Sequence, residues 1–365
     1  MSDEAHMRRA IDLALIGRGL VAPNPMVGAV VVSGGDVVGE GHHEGPGLPH
    51  AEIVALNEAG DRARGATLYT TLEPCCHFGR TPPCTEAIVR AGIARVVAAT
   101  TDPNPVVDGR GAAILSSRGI EVELGVLAGP SERMNAAFST HVRTGMPYVI
   151  WKFAASLDGK VAATDGTSRW ISGEEARADA HRLRGWADAI LIGAGTAIAD
   201  DPALTVRDPT YRGRPPVRVV VDAAGRVQPA GALFDDRAPT LVATTDRAPV
   251  ERREAWRAAG AEVVVFEAED GQVPLAALLA DLGKRDVQGV LLEGGPTLAW
   301  SAVEARLVDA VVAYLAPVLV GGATAPGALG GDGFAPLSEG LGLSIHSVER
   351  VGRDIRVEAD VQRDR

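Results

Sequence analysis

Aromatic residues are scarce in this 365-residue chain, only 4% of the total, so its cores must be built mainly from Ala, Val, Ile and Leu. No apolar run approaches the roughly 18 residues expected of a membrane span, which argues against a membrane partner. The opening segment MSDEAHMRRAIDLALIGRGL has a short, interrupted apolar stretch preceded by acidic residues, and it fits a first helix rather than a signal peptide. No block of Lys and Arg stands out and the net charge is −11, which argues against nucleic acid as a partner. Cysteine is also rare, with Cys75, Cys76 and Cys84 falling close together. An odd, clustered set without a secretory signal is a poor disulfide framework and a good metal or catalytic candidate, and it points to the cytoplasm.

With 46% hydrophobic and 23% charged residues the composition is that of a globular protein, and the length calls for two domains. Residues 5–19 read as helix, 27–33 as strand, 51–60 as helix and 67–71 as strand. A helix near 84–91, a strand at 94–100, a helix near 110–117, a strand near 120–124 and a helix around 130–144 follow. Gly145-Met146-Pro147 is a turn signal, so the expected domains are 1–145 and 146–365. A second α/β series begins at 148–156, with apolar runs at 188–193, 217–222, 240–244, 262–266, 288–292, 310–315 and 354–361. Helical patterns at 173–185, 250–259, 273–283 and 297–307 lie between them.

His50-Ala51-Glu52 precedes Pro74-Cys75 and then Cys84. One imidazole and two thiolates suit zinc and leave a fourth position for water, whose pKa the metal lowers. A carboxylate two residues from the histidine can stay off the metal, take a proton from the water and return it to ring nitrogen and leaving ammonia. This is the logic of zinc nucleobase deaminases, with their H-x-E followed by P-C-x-x-C. The chain departs from that spacing: Phe78 stands where the second cysteine belongs, and the second thiolate comes from Cys84, nine positions after Cys75. A Cys76–Cys84 pairing is formally open, although Cys75 directly follows Pro74 and matches the motif better. Structural zinc takes four protein ligands, which Cys76 or His77 would have to complete. His42 and His43 read as exposed loop residues or neighbours of the ligand histidine.

The runs TLEPCCHFGRTPPC at 71–84, HAE at 50–52 and APNPMVGAVVV at 22–32 resemble the deaminase domain of the bifunctional riboflavin-biosynthesis enzymes. That resemblance implies a cytidine-deaminase-like three-layer α/β domain acting on a diaminohydroxy pyrimidine that carries a phosphoribosylamino group. It makes His50, Cys75 and Cys84 the zinc ligands and Glu52 the proton shuttle. It also implies substrate contacts by Asn24, His77, Arg80, Asp102 and Asn104; turn chemistry is the alternative for the last two.

In the second half, Ile192-Gly193-Ala194-Gly195 invites a dinucleotide-binding reading, but Ile198 occupies the third glycine position and the fingerprint fails. Glu293-Gly294-Gly295-Pro296-Thr297 is stronger, since it links a strand to a helix whose free N–H groups favour an anion. The runs KFAASLDGKVA (152–162), SRWISG (168–173), GAGTAIADDPALTVR (193–207) and EGGPTLAWS (293–301) are similar, in order, to the reductase domain of the same family. The resemblance implies a dihydrofolate-reductase-like α/β domain, NADPH as cofactor, and reduction of the ribosyl group to ribityl. Nucleotide contacts are then expected from Ala154, Trp170, Thr196, Asp200 and the run Gly295, Pro296, Thr297, Leu298, Ala299, Trp300 and Ser301. Ser168, Arg184, Leu204, Arg207 and Glu293 are expected at the substrate, with Lys152, Asp200 or Glu293 as acid or base. An ion pair of Lys152 with Glu293 and core packing of Trp170 are the structural alternatives. Thr244, Thr245 and Arg247 hint at a 2′-phosphate site, and a homo-oligomer is expected.

Overall fold

The computed structural model describes residues 2–78 and 82–362 and divides into two compact units, Met1–Gly145 and Met146–Arg365. The first contains α1 (Asp3–Ala14), β1 (Gly28–Ser33), β2 (Asp36–His42), α2 (Ala51–Ala59), β3 (Thr67–Thr70), α3 (Cys84–Ala91) and β4 (Arg95–Ala98). It continues through α4 (Arg110–Ser117), β5 (Glu121–Leu124), α5 (Ala128–Met134) and α6 (Ala136–Thr144). Its five strands lie in the order β2-β1-β3-β4-β5, with β1 antiparallel to β2 and β3, and the last three parallel.

Alternation along β1 explains the layers. Val30 and Val32 join Met7, Ala10 and Leu13 of α1 on one face, while Ala29 and Val31 join Ala51, Ala55 and Ile88 of α2 and α3 on the other. Helix, sheet and helix make three layers around a thin Ala/Val core. Strand β2 is absent from the sequence expectation because its glycines read as a loop. They are there for packing: a Cβ on Gly39 or Gly41 would lie 2.2 Å from Ala55 O or 2.4 Å from Ala51 O of α2. The expected helix at 130–144 is two helices, α5 and α6, meeting at Asn135. The Asn135 amide accepts from Met26 N and donates to Met26 O, both at 2.9 Å, so it anchors the 22–26 turn.

The second unit contains β6 (Tyr148–Ser156), α7 (Glu174–Arg184), β7 (Ala189–Gly193), α8 (Ala194–Asp200), β8 (Val217–Val221), β9 (Thr240–Thr245) and α9 (Val250–Ala258). Then come β10 (Glu262–Phe266), α10 (Leu275–Lys284), β11 (Gly289–Leu292), α11 (Pro296–Glu304), β12 (Ala310–Ala316), β13 (Leu343–Val351) and β14 (Asp354–Val361). The nine-stranded order is β10-β9-β8-β7-β11-β6-β12-β14-β13, parallel up to β12 and closed by an antiparallel hairpin. Leu191, Val290 and Leu292 face α10 and α11, and Ile190, Ile192 and Leu291 face α7, α8 and α9. Both faces are covered, hence the continuous apolar runs. Strand β13 is an edge strand whose largely exposed, mixed pattern gives little local signal, and its pairing with β14 creates it. No described helix is long and apolar enough to cross a membrane.

Gly28 lets α1 sit directly on β1, since a Cβ there would lie 1.9 Å from Ala10 O. Gly28→Ala should therefore destabilise the protein by about 1–3 kcal/mol, the usual cost of overpacking. Denaturant unfolding checks this, and an unshifted midpoint would show that α1 moves aside freely.

Candidate active sites

In the first unit the H-x-E motif straddles a helix start. His50 is the residue before α2, and Glu52, only 3% exposed, sits in its first turn. Cys75 lies in the segment after β3 and Cys84 opens α3. Three different elements thus deliver the ligand atoms of His50, Cys75 and Cys84 to within 4.8 Å of one another. His50 Nδ1 is 3.2 Å from Cys84 Sγ and 3.4 Å from Cys75 Sγ, and the Cys84 amide donates to Cys75 Sγ at 3.3 Å. Tetrahedral zinc, with Zn–S of about 2.3 Å and Zn–N of about 2.0–2.1 Å, places nitrogen and sulfur ligands about 3.5 Å apart. The donor set therefore fits zinc in both chemistry and spacing. Among the described residues this three-member cluster includes neither Cys76 nor His77.

The electrostatics suit a metal and a proton carrier. A hydrogen bond shared with Cys84, and then one with His50, hold the Cys75 thiol well below its ordinary value against burial. Sharing the same proton pushes the Cys84 thiol up. Burial, reinforced by the negative charge of Cys75, pushes Glu52 up to about 7.

Around this cluster the other expected residues are placed as follows. Asn24 Nδ2 lies 2.9 Å from His43 Nε2, and His43 Nδ1 lies 3.1 Å from Pro49 O. A carbonyl only accepts, so Nδ1 carries the hydrogen and, with burial lowering the pKa of the ring, Nε2 accepts from Asn24. His43 is thus a buried partner of Asn24, stacked edge-on against His50, and not an exposed loop residue. Asp102 is buried, which pushes its carboxyl up to about 6. Its Oδ1 accepts from Asn104 N and Asn104 Oδ1 accepts from Val106 N, so turn chemistry uses one oxygen of each. His77 Nδ1 is buried without a hydrogen-bond partner among the described residues. Arg80 lies outside the described residues. Sequence reasoning passed over Glu73 altogether; a glutamate inside an otherwise apolar T-L-E-P-C run was the available signal.

In the second unit a cavity of about 630 Å³ opens between β6, α7 and the segments around Ser168–Trp170 and Arg207. Lys152, Ala154, Ser168, Trp170, Arg184 and Arg207 line it. Trp170 is 66% exposed and Arg177 lies 4.5 Å from its ring centroid, so core packing is not its role. Arg184 makes a two-pronged pair with Glu293, at 2.8 and 2.9 Å, and also donates to Thr205 O. Arg184, rather than Lys152, is therefore the ion-pair partner of Glu293. Burial pushes the Lys152 ammonium down, against the pull of Glu293. Thr196 reaches the glycine turn, since a Cβ on Gly295 would lie 3.3 Å from its Oγ1. Pro296 and Thr297 open α11 and Ser301 bonds back to Thr297 O, whereas Leu298 packs on Gly294, and Ala299 and Trp300 are buried. The Leu204 side chain is buried in the core, which leaves only its backbone for a ligand. Asp200 is exposed and pairs with Arg169. Thr244 and Thr245 are fully buried and donate to Asp222 O and Ala223 O, so these hydroxyls hold β8 to β9. Tyr314, unforeseen in the sequence, lines the cavity with its hydroxyl on Asp179 Oδ2 at 2.7 Å and its ring 5.7 Å from Lys152 Nζ.

Residues 147–357 match the model of the RibD C-terminal domain, and residues 1–100 match the zinc-binding region of cytidine and deoxycytidylate deaminases. Riboflavin biosynthesis protein RibD of Escherichia coli K12 is 41% identical over 366 residues, covering 97% of this chain and 98% of the relative. The chain belongs to the RibD family. RibD of Mycobacterium tuberculosis is likewise 41% identical, over 97% of this chain and 95% of its own. Among solved structures, Acinetobacter baumannii RibD superimposes with a TM-score of 0.84 at 38% identity, over 99% of both chains. A Thermotoga maritima diaminohydroxyphosphoribosylaminopyrimidine deaminase/5-amino-6-(5-phosphoribosylamino)uracil reductase gives 0.86 at 35% identity, again over 99% of both. The protein is a bifunctional enzyme of riboflavin biosynthesis, joining a cytidine-deaminase-like domain to a RibD reductase domain, as the α/β reading expected.

Glu293 also yields a stability prediction. Burial pushes it up, but the charge and hydrogen bonds of Arg184, with Lys152 behind them, reverse this and hold it down to about 2. The folded value lies below the unfolded one of about 4.3. The carboxylate therefore stabilises the fold above that pH, and the contribution is lost as pH falls toward 2. Glu293→Gln should lower stability at pH 7 by about 3 kcal/mol, because the buried Arg184 guanidinium loses its charged partner. In denaturant titrations the gap to the parent protein should narrow as pH drops below about 4.3; a pH-independent gap would mean the charge is not responsible.

Proposed function

We propose that residues 1–145 deaminate diaminohydroxyphosphoribosylaminopyrimidine and that residues 146–365 reduce the product, 5-amino-6-(5-phosphoribosylamino)uracil, with NADPH. The observation that carries the deaminase reading is the convergence of one imidazole nitrogen and two cysteine sulfurs beside the buried Glu52. His50, Cys75 and Cys84 would hold zinc, which would supply the Lewis acidity that makes a water molecule nucleophilic near neutral pH. Glu52 would take one proton from that water and give it to the ring nitrogen, and would then carry the proton of the hydroxyl added to the ring carbon to the departing ammonia; its burial beside the cluster keeps bulk water from competing for either proton. With its Nδ2 committed to His43, Asn24 offers Oδ1 to an N–H of the pyrimidine. Asp102 and Asn104 complete the polar wall, and His77 with Arg80 takes the phosphate.

In the second unit the cavity beside Lys152 receives the phosphoribosyl substrate. Arg207 serves its phosphate, Ser168 and the backbone of Leu204 add polar contacts, and the Arg184–Glu293 pair orients the sugar. NADPH would supply the hydride, and the amides at the start of α11 from Gly295, with Thr196, would hold its phosphates. Ala154 and Trp170, which line the cavity, would contact the bound nucleotide. Of the three acid/base candidates, Lys152 lines the cavity, Glu293 is kept ionised by Arg184, and Asp200 is exposed on α8. This favours Lys152 as the group that meets substrate, with Glu293 holding its charge in place. The three cysteines, none of them in a disulfide, suit a reducing compartment such as the cytoplasm.

The test uses one enzyme and two readouts. Glu52→Gln should keep about one zinc per chain and abolish ammonia release, by at least a hundredfold, while NADPH oxidation with already deaminated substrate persists. Loss of both activities in a folded, zinc-loaded variant would contradict separate sites.

A further inference from the structure

One buried carboxylate takes no part in the chemistry above. Glu73 is 3% exposed and directly precedes the Pro74-Cys75 pair. Its Oε2 accepts from Asp102 N at 3.2 Å and from Gly109 N at 2.9 Å, and its Oε1 accepts from Ala112 N at 2.9 Å. These three amides bracket the segment 102–109 and the first turn of α4. Gly109, ahead of that helix, has no side chain with which to cap it. The carboxylate therefore does from another segment what a capping residue does locally, and it ties down both ends of the loop at once. Its own amide donates to Thr100 O at 2.9 Å, which registers the segment against the end of β4. Packing adds a second constraint, because a Cβ on Gly111 would lie 2.1 Å from Pro74 O and 3.1 Å from Glu73 Oε1. Helix α4 thus rests directly on the backbone that delivers Cys75.

Asp102 Oδ1 and Asn104 Oδ1 are spent on the loop's own amides, so the directions of their remaining polar atoms follow the loop backbone. That backbone is held by Glu73, and Glu73 shares a rigid tripeptide with Cys75. We propose that Glu73 is the positioning residue of the deaminase site: it sets the distance and angle between the Asp102–Asn104 wall and the His50–Cys75–Cys84 cluster, and so decides where the pyrimidine rests beside Glu52. The inference builds on the reading of Asp102 and Asn104 as substrate contacts. A bland role as a folding carboxylate would change stability and zinc content without separating substrate binding from turnover.

The experiment measures deamination of diaminohydroxyphosphoribosylaminopyrimidine by the full-length, zinc-loaded enzyme, comparing Glu73→Gln, Glu73→Ala, Gly111→Ala and Asn104→Ala. Glu73→Gln should raise KM on the order of tenfold, the effect of one lost charge-assisted hydrogen bond, with a much smaller change in kcat, an unchanged zinc content and full reductase activity. Glu73→Ala should be more severe than Glu73→Gln, which keeps one acceptor. Gly111→Ala, whose Cβ would press on Pro74 O and lift α4 from it without removing any hydrogen-bonding group, should shift KM in the same direction. If Glu73→Ala does not fold, Glu73→Gln and Gly111→Ala decide. Unchanged KM in both, equal losses in kcat and kcat/KM, or zinc loss that accounts for the whole effect would overturn the proposal. Asn104→Ala separates the two readings. If it raises KM while Glu73→Gln and Gly111→Ala do not, the wall stands and the positioning role falls. If it leaves KM unchanged, the substrate reading of the loop fails and the positioning role falls with it.

Discussion

Two sulfur atoms and an imidazole nitrogen crowded within 4.8 Å, beside a carboxylate excluded from water, are costly to bury together unless they are paired or hold a cation. Much of the first unit serves to hold it. His50 and Cys84 stand at the starts of α2 and α3, and Cys75 leaves the end of β3, so three elements must keep register for the donor atoms to meet. Packing without side-chain bulk makes this possible: Gly28 brings α1 onto the sheet, and Gly39 and Gly41 bring α2 onto it. A thin Ala/Val core is the consequence, and it explains the shortage of aromatics better than any average preference.

The second unit is organised around a different constraint, a cation and an anion buried together. Arg184 at the end of α7 and Glu293 after β11 are 14% and 10% exposed, and their two hydrogen bonds offset a desolvation cost that neither charge could bear alone. Lys152 stands on the neighbouring strand β6, in the field of both charges. Tyr314, fixed by Asp179, supplies an aromatic face below it. The cavity is therefore lined by charges already oriented before any ligand arrives, which lowers the reorganisation that binding must accomplish.

Much of this was legible in the residues. Eleven-residue periodic stretches such as 174–184, and buried parallel strands such as 189–193, announce themselves by pattern. That His50, Cys75 and Cys84 would meet was an expectation from ligand chemistry, which restricts which residue types can share a metal, and their ligand atoms lie within 4.8 Å of one another. Strands β2 and β13 were not, since glycines chosen for close packing look like loop and an edge strand exists only through its partner. The helix at 130–144 was expected whole because nothing local reveals that the Asn135 amide is needed at Met26, 109 residues away.

What the sequence by itself determined was chemistry: an H-x-E with two thiolates to follow, a glycine turn opening a helix, and enough apolar pattern for two α/β units. What only the tertiary structure decided was pairing. It gathered Cys75 rather than Cys76 with His50 and Cys84, paired Glu293 with Arg184 rather than Lys152, buried His43 against Asn24, and spent the hydroxyls of Thr244 and Thr245 inside the sheet. The physical reason is common to all four. A residue type limits which bonds a side chain can make, while the choice among partners distant in sequence depends on which of them folding removes from water together.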